Sequence, residues 1–187
     1  VNENAREAIL AAAKSAAQLH GYSGINFRSI ADQVGIKNAS IYYHFPSKAG
    51  LAAAVAERYW QDVQRVLDGI RVANAEPKVC VQLYPSVFRK SLEDGNKLCL
   101  SSFMAAEYED LPEEVSREIK AFVDVNVTWL AQVLADAGVG RAEECERRAR
   151  AIYSAVAGAQ LIARTRADVG LFDDLILSYR EAGLIPA

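Results

Sequence analysis

Apolar residues recur three and four positions apart along almost the whole chain, and no run alternates with polar residues long enough to make a strand. The pattern predicts an all-α protein of about nine helices. The first helix is expected from about Glu3 to Leu19, with Ala8, Ile9, Ala12, Ala16 and Leu19 on one stripe and Gly21 as its stop. Asn26 then reads as an N-cap to a short helix, FRSIADQV, with Phe27, Ile30, Ala31 and Val34 inward and Gly35 at its end. A turn, GIKN, leads to a third helix of about Asn38 to His44. Pro46 forbids its continuation, Ser47 caps, and a long helix runs from Lys48 to about Val72. Two short helices joined by a glycine-containing turn form a helix-turn-helix, and the first helix supplies the support they need in order to bury anything.

Beyond NAEP the helical spacing continues over about 78–94, 97–108, 113–137, 142–166 and 171–179, broken at Pro112 and at AGVG. The expected organisation is a helix-turn-helix domain, residues 1–47, on a larger helical domain, residues 48–187. No internal repeat or low-complexity segment interrupts it.

The stretch NASIYYHFPSKAGL, residues 38–51, fits a plain core helix poorly. Ile41 and Phe45 are four apart and share the face that packs on the second helix. Ser40, Tyr43 and His44 then point outward, with Lys37 at the helix start and Tyr42 at the edge. Between Gly35 and Glu57 there is no Asp or Glu, whereas a solvated helix face ordinarily carries some. Lys48 opens a helix, where the partial positive charge of the N-terminus disfavours a cation. Two readings stand for it: a solvated lysine that tolerates its place, or a lysine sharing an anion such as a DNA phosphate with the free N–H groups of the helix start. Tyr42 and His44 taken singly read equally well as a core tyrosine and a surface histidine. Taken together at the end of a helix-turn-helix they favour DNA, with Tyr42, His44 and Lys48 on phosphates and Lys37, Ala39, Ser40 and Tyr43 near base edges.

Charge changes this picture little. The net charge of −3 opposes nucleic-acid binding by itself, but it is uneven. Residues 1–50 hold five Lys or Arg against three Asp or Glu, and residues 51–187 hold sixteen against twenty-one. The three cysteines, Cys80, Cys99 and Cys145, form no CxxC pair, so no metal site is expected. No apolar run reaches membrane-span length and no signal-like segment opens the chain, so a cytoplasmic protein without a membrane partner is expected.

From Gly21 to Leu51, GYSGINFRSIADQVGIKNASIYYHFPSKAGL, the chain resembles the DNA-binding head of TetR/AcrR-family transcriptional regulators. The order Gly-Tyr, capped FRSIA, GI, IYYHF, then SK and Leu carries the resemblance. It implies that the third helix enters the major groove. It also implies that the positions of Arg28, Tyr42, His44 and Lys48 meet the backbone, while those of Lys37, Asn38, Ala39, Ser40 and Tyr43 approach bases. Two positions depart from the family pattern. Asn26 stands where Ser or Thr is usual, and Lys37 stands where a capping Ser is frequent.

The resemblance further implies a C-terminal domain that binds a small molecule and dimerises. For the ligand, the candidates are the aromatics Tyr84, Phe88, Phe103, Phe122 and Trp129 with the polar groups Glu107 and Asn126; Gln160 is a further interleaved polar residue. Apolar walls with few polar anchors describe a ligand site and equally an ordinary core. Cys99 is a candidate of another kind. The stretch around it is similar to an electrophile-sensing branch of the family, and Lys97 nearby would favour a thiolate, although free cysteines are usually small buried apolar residues. For dimerisation, Ala151, Ala155, Gly158, Ala159 and Ile162 make a small-residue stripe, with Leu175 on the last helix, implying a four-helix interface between two copies.

The expected function is a homodimeric, ligand-responsive repressor that binds a near-palindromic operator in double-stranded DNA and is released by a small-molecule inducer, with no cofactor. A cysteine-based electrophile- or redox-sensing repressor acting through Cys99 and a helical ligand-binding protein that does not touch DNA are the alternatives. An enzyme is not expected. The only histidines, His20 and His44, lie in the head, and no nucleophile elbow, phosphate loop or metal spacing occurs.

Overall fold

The computed structural model describes residues 2–186, with side chains from residue 4 onward. Among the described residues there is no strand. The helices in chain order are α1 (Asn2–His20), α2 (Phe27–Val34), α3 (Asn38–His44), α4 (Lys48–Ala73), α5 (Pro77–Leu83), α6 (Ser86–Glu93), α7 (Leu100–Ala105), α8 (Glu113–Asp136), α9 (Ala142–Arg166) and α10 (Val169–Glu181), with a 3-10 turn at Tyr108–Asp110 before α8. The chain forms two compact units, Val1–Gln61 with Leu100–Phe122 and Asp62–Cys99 with Val123–Ala187.

In the first unit, α1 packs on α2 and α7, and α2 packs on α3. The buried face of α1 is Ile9, Leu10, Ala12, Ala13 and Ala17. The stripe expected from the sequence is thus turned slightly, because Ala16 is half-buried and Leu19 is 37% exposed. Small alanines on this face let the neighbouring helices come close. From α2 come Phe27, Ile30 and Ala31, and from α3 and its end come Ile41 and Phe45, all buried. Removing a core side chain such as Ile41 down to alanine costs about 2–5 kcal/mol.

Local signals fix the head's boundaries. The Asn26 side chain accepts from the Ser29 N–H at 3.1 Å, capping α2. Gly35 ends α2 at φ 75°, and its N–H returns to the Ala31 carbonyl. That left-handed conformation is cheap only for a residue without Cβ. At the start of α3, Lys37 gives no side-chain cap. Ser47 Oγ accepts from the Gly50 N–H at 2.9 Å and so opens α4.

In the second unit, α9 packs on α6 and α10, and α10 on α6. One helix expected at 78–94 is two, α5 and α6, parted at Tyr84–Pro85. Both residues keep helical dihedrals (φ −50°, ψ −44° and φ −58°, ψ −23°), but proline has no N–H with which to continue the ladder. The helix expected at 97–108 shrinks to α7, since Gly95 and Asn96 both take positive φ, 72° and 56°, just before it. Asn96 Nδ2 then ties this turn to the Arg164 carbonyl of α9 at 3.1 Å.

Candidate nucleic-acid interface

The surface of α3 is assembled from residues that its inward face cannot use. With Ile41 and Phe45 buried, helical spacing turns Lys37, Asn38, Ala39, Tyr42 and Tyr43 to solvent, with Ser40 and His44 half-buried. Tyr43 is 73% exposed and Tyr42 54%. Exposed tyrosines at this density are uncommon on a helix that has no partner. Tyr42 is braced edge-on against Phe27 of α2, ring centroids 4.8 Å apart, and Tyr43 against His44 at 5.2 Å. Bracing against a neighbour fixes ring direction and leaves the hydroxyl end outward. Arg28 on α2 is exposed as well.

Lys48 has a structural explanation that its sequence position hides. Its Nζ lies 4.4 Å from the centroid of the Tyr22 ring and 3.4 Å from the Ser23 carbonyl oxygen, both in the turn between α1 and α2. A cation over an exposed aromatic face gains about 0.5–1 kcal/mol. That offsets the few tenths of a kcal/mol or more that a cation loses at a helix N-terminus. An ammonium has three donors, so this arrangement leaves capacity for an anion arriving from solvent.

Tyr22 is itself held. Its N–H donates to Glu107 Oε2 at 2.6 Å. Sequence reasoning named Glu107 as a ligand group; here one of its oxygens serves the α1–α2 turn instead. Phe122 is likewise engaged inside the first unit, stacked on Tyr59 at 5.5 Å, and Phe103 is half-buried in the same unit.

Of the expected ligand residues, Tyr84, Phe88, Cys99, Asn126 and Trp129 lie in the second unit. Tyr84 is the hub, with its ring 5.7 Å from Phe88 and 6.0 Å from Trp129 and its hydroxyl donating to Asn126 Oδ1 at 2.9 Å. Two residues complete the cluster from α9. Tyr153, which sequence reasoning missed, lies edge-on to Phe88 at 6.2 Å. Gln160 accepts from the Cys99 N–H at 2.9 Å and donates to the Phe88 carbonyl at 2.7 Å. The signal for Tyr153 was its spacing from Val156 and Gln160 on one helical face. Burial pushes the pKa of the Tyr84 and Tyr153 hydroxyls up, and the adjacent Cys99 thiol adds to it, so both stay protonated. Trp129 is 5% exposed, and its indole N–H has no hydrogen-bond partner among the described residues. Tyr153 also lines a surface groove of about 360 Å³ between α8 and α9, with Val123, Val127, Thr128 and Arg150.

Cys99 is 2% exposed. Lys97, expected to favour its thiolate, donates to Asp94 at 2.8 Å. On the small-residue stripe of α9, Ala151 and Ile162 are exposed and Ala155 and Gly158 half-buried, and a Cβ added at Gly158 would meet nothing within 4 Å. Ala159, placed on that stripe by sequence reasoning, is fully buried in its own chain. The members of the stripe that this chain leaves exposed or half-buried are Ala151, Ala155, Gly158 and Ile162. Among the described residues no group of His, Cys, Asp and Glu suits a metal ion, and no helix is long and apolar enough to cross a membrane.

Comparisons with known proteins agree with this geometry. Residues 9–55 match the model of the bacterial regulatory proteins, tetR family. A crystal structure of a TetR transcriptional regulator from Legionella pneumophila is 30% identical, with a TM-score of 0.88 over 94% of this chain and 95% of that one. A TetR-family transcriptional regulator from Agrobacterium tumefaciens superposes with a TM-score of 0.91 over the whole of both chains at 26% identity. Reduced NemR from E. coli, 18% identical with a TM-score of 0.82 over 95% of this chain and 96% of that one, shares the fold. No curated protein matches the chain.

Proposed function

Because this chain belongs to the TetR family of bacterial transcriptional regulators, we propose that it is a ligand-responsive repressor, cytoplasmic, that binds a near-palindromic operator as a homodimer and is released by a small-molecule inducer. The observation that carries the DNA reading is the outer face of α3. Lys37, Asn38, Ala39, Ser40 and Tyr43 stand on it without a carboxylate, and Tyr42, His44, Arg28 and Lys48 are assigned to phosphates. In functional terms residues 1–47 read DNA and residues 48–187 bind the effector and the second subunit.

Dimerisation is assigned to α9 and α10, through Ala151, Ala155, Gly158 and Ile162 with the exposed Leu161 and the half-buried Leu175. Two heads must then sit about one helical turn of DNA apart, or a multiple of it, to dock together. The effector is assigned to the cluster of Tyr84, Phe88, Cys99, Asn126, Trp129, Tyr153 and Gln160. The unpartnered Trp129 N–H supports this reading, since a ligand acceptor would satisfy it. An effector shifts the dimer only by its differential affinity for two head spacings, and α4, which opens in the head and ends in the second unit, is the lever. The burial of Cys99 disfavours direct attack by a bulky electrophile in this conformation.

Selection of duplexes from a random-sequence pool, followed by titration at several salt concentrations, tests the reading. A repressor of this kind selects a two-fold symmetric sequence and binds it with a steep salt dependence. A protein that selects nothing is the helical binding protein that does not touch DNA.

A further inference from the structure

We propose that Glu107 is a positioning residue for DNA binding, acting through the α1–α2 turn on Lys48. The inference rests on the assignment of Lys48 to a phosphate made above.

Three contacts in one compact unit make the chain of action. Glu107 follows the end of α7, where its own N–H bonds the Met104 carbonyl at 2.9 Å and its carbonyl accepts from Asp110 of the 3-10 turn at 2.9 Å. Its backbone is thus fixed on both sides. Its carboxylate occupies the hollow that Gly21 leaves. A Cβ added at Gly21, which has φ +67°, would lie 2.2 Å from Glu107 Oε2. From this hollow Oε2 takes the Tyr22 N–H at 2.6 Å, which sets where the Tyr22 ring goes. On that ring, at 4.4 Å, rests the Lys48 ammonium, and the Ser23 carbonyl of the same turn holds it at 3.4 Å.

A carboxylate close to a DNA-reading head opposes DNA by charge alone. Its place is therefore accounted for by the acceptor oxygen it supplies, and the acceptor and the charge are separable. Glu107→Gln keeps an oxygen at the same reach without the charge, and Glu107→Ala removes both. In the same way Tyr22→Phe keeps the ring under Lys48, and Tyr22→Leu removes it.

The experiment compares these four variants with Lys48→Ala, alone and combined, on duplexes selected by the wild-type protein from a random-sequence pool. Affinity, its salt dependence and the thermal midpoint are measured. Lys48→Ala is expected to weaken binding about tenfold and to make the log–log salt slope shallower by about one. Glu107→Ala and Tyr22→Leu are expected to reproduce most of that loss and the shallower slope, and to add little to Lys48→Ala. Glu107→Gln and Tyr22→Phe are expected to bind like the wild type. Wild-type affinity in Glu107→Ala overturns the inference. So does a lowered thermal midpoint with an unchanged slope, because that is a structural role and nothing more. If Glu107→Ala does not fold, Tyr22→Leu set against Tyr22→Phe decides the matter. Should Lys48→Ala bind as the wild type does, the phosphate assignment itself has failed and the inference falls with it, an outcome distinct from the failure of Glu107 alone. A pool that yields no duplex overturns both.

Discussion

Tyr43 and Tyr84 are the same residue used in opposite ways. Tyr43 stands on α3 with 73% of its surface exposed, edge-on to His44. Tyr84 is fully buried, ringed by Phe88 and Trp129, with its hydroxyl on Asn126. An aromatic in the second unit contributes to stability through the area it removes from water, about 25 cal/mol per Å² of apolar surface. An aromatic on α3 leaves that area open. Its presence there fits the proposed role of α3, in which the partner that covers it is DNA. The contrast separates residues that hold the protein together from residues proposed to read DNA.

The sharpest way to break the contrast is to truncate both tyrosines. Tyr84→Ala should destabilise the chain by about 3–5 kcal/mol, since it opens a large cavity and removes the donor to Asn126 Oδ1. Tyr43→Ala should stay within about 0.5 kcal/mol of the wild type in a denaturant titration. If both unfold at wild-type denaturant concentrations, the division fails. On selected DNA the order reverses, and Tyr42→Ala with Tyr43→Ala should cost about 1–3 kcal/mol of binding per contact, read by anisotropy.

A subtler probe removes one hydroxyl. Tyr84→Phe leaves the Asn126 oxygen without its buried donor and should cost about 1–3 kcal/mol in chemical denaturation.

The same burial predicts a pH response. The Tyr84 and Tyr153 hydroxyls are held above the ordinary tyrosine value in the folded state, by burial first. The unfolded chain therefore loses those protons first. Stability from this source is complete below about pH 10 and declines as pH rises past it. Tyr84→Phe should flatten that decline, while a decline of unchanged slope would detach it from Tyr84. The smallest expected effect lies at a helix end: Asn26→Ala should cost about 1 kcal/mol in thermal melts and Asn26→Ser almost nothing.

The head was more legible in the sequence than the rest of the molecule, for a physical reason. Its boundaries come from single residues acting on their neighbours: Asn26 on Ser29, Gly35 on Ala31, Ser47 on Gly50. Its buried pair, Ile41 and Phe45, is one helical turn apart. Each of these is a local rule that spacing expresses directly. The Tyr22 N–H that Glu107 accepts lies 85 positions away, and no local pattern encodes such a meeting. The Tyr84–Pro85 break was hidden because both residues keep helical dihedrals. Ala159 was misplaced because a stripe of small residues looks alike whether it faces a second subunit or its own core. The puzzle of Lys48 at a helix start needed Tyr22, which lies in another turn of the chain.

Gln160 limits how this molecule can change. Its fully buried amide takes a hydrogen bond from the Cys99 N–H and gives one to the Phe88 carbonyl, so it presents an acceptor to one segment and a donor to the other. Its neighbours Ile152 and Val156 are apolar and buried, and such residues can drift among side chains of similar volume at modest cost. Position 160 has no such freedom. Glutamate would set a carboxylate against the Phe88 carbonyl, and leucine would leave both backbone groups unmet. A variant that loses this amide must find other partners for the Cys99 N–H and the Phe88 carbonyl, so the passage from α6 to α7 cannot keep its present course without residue 160.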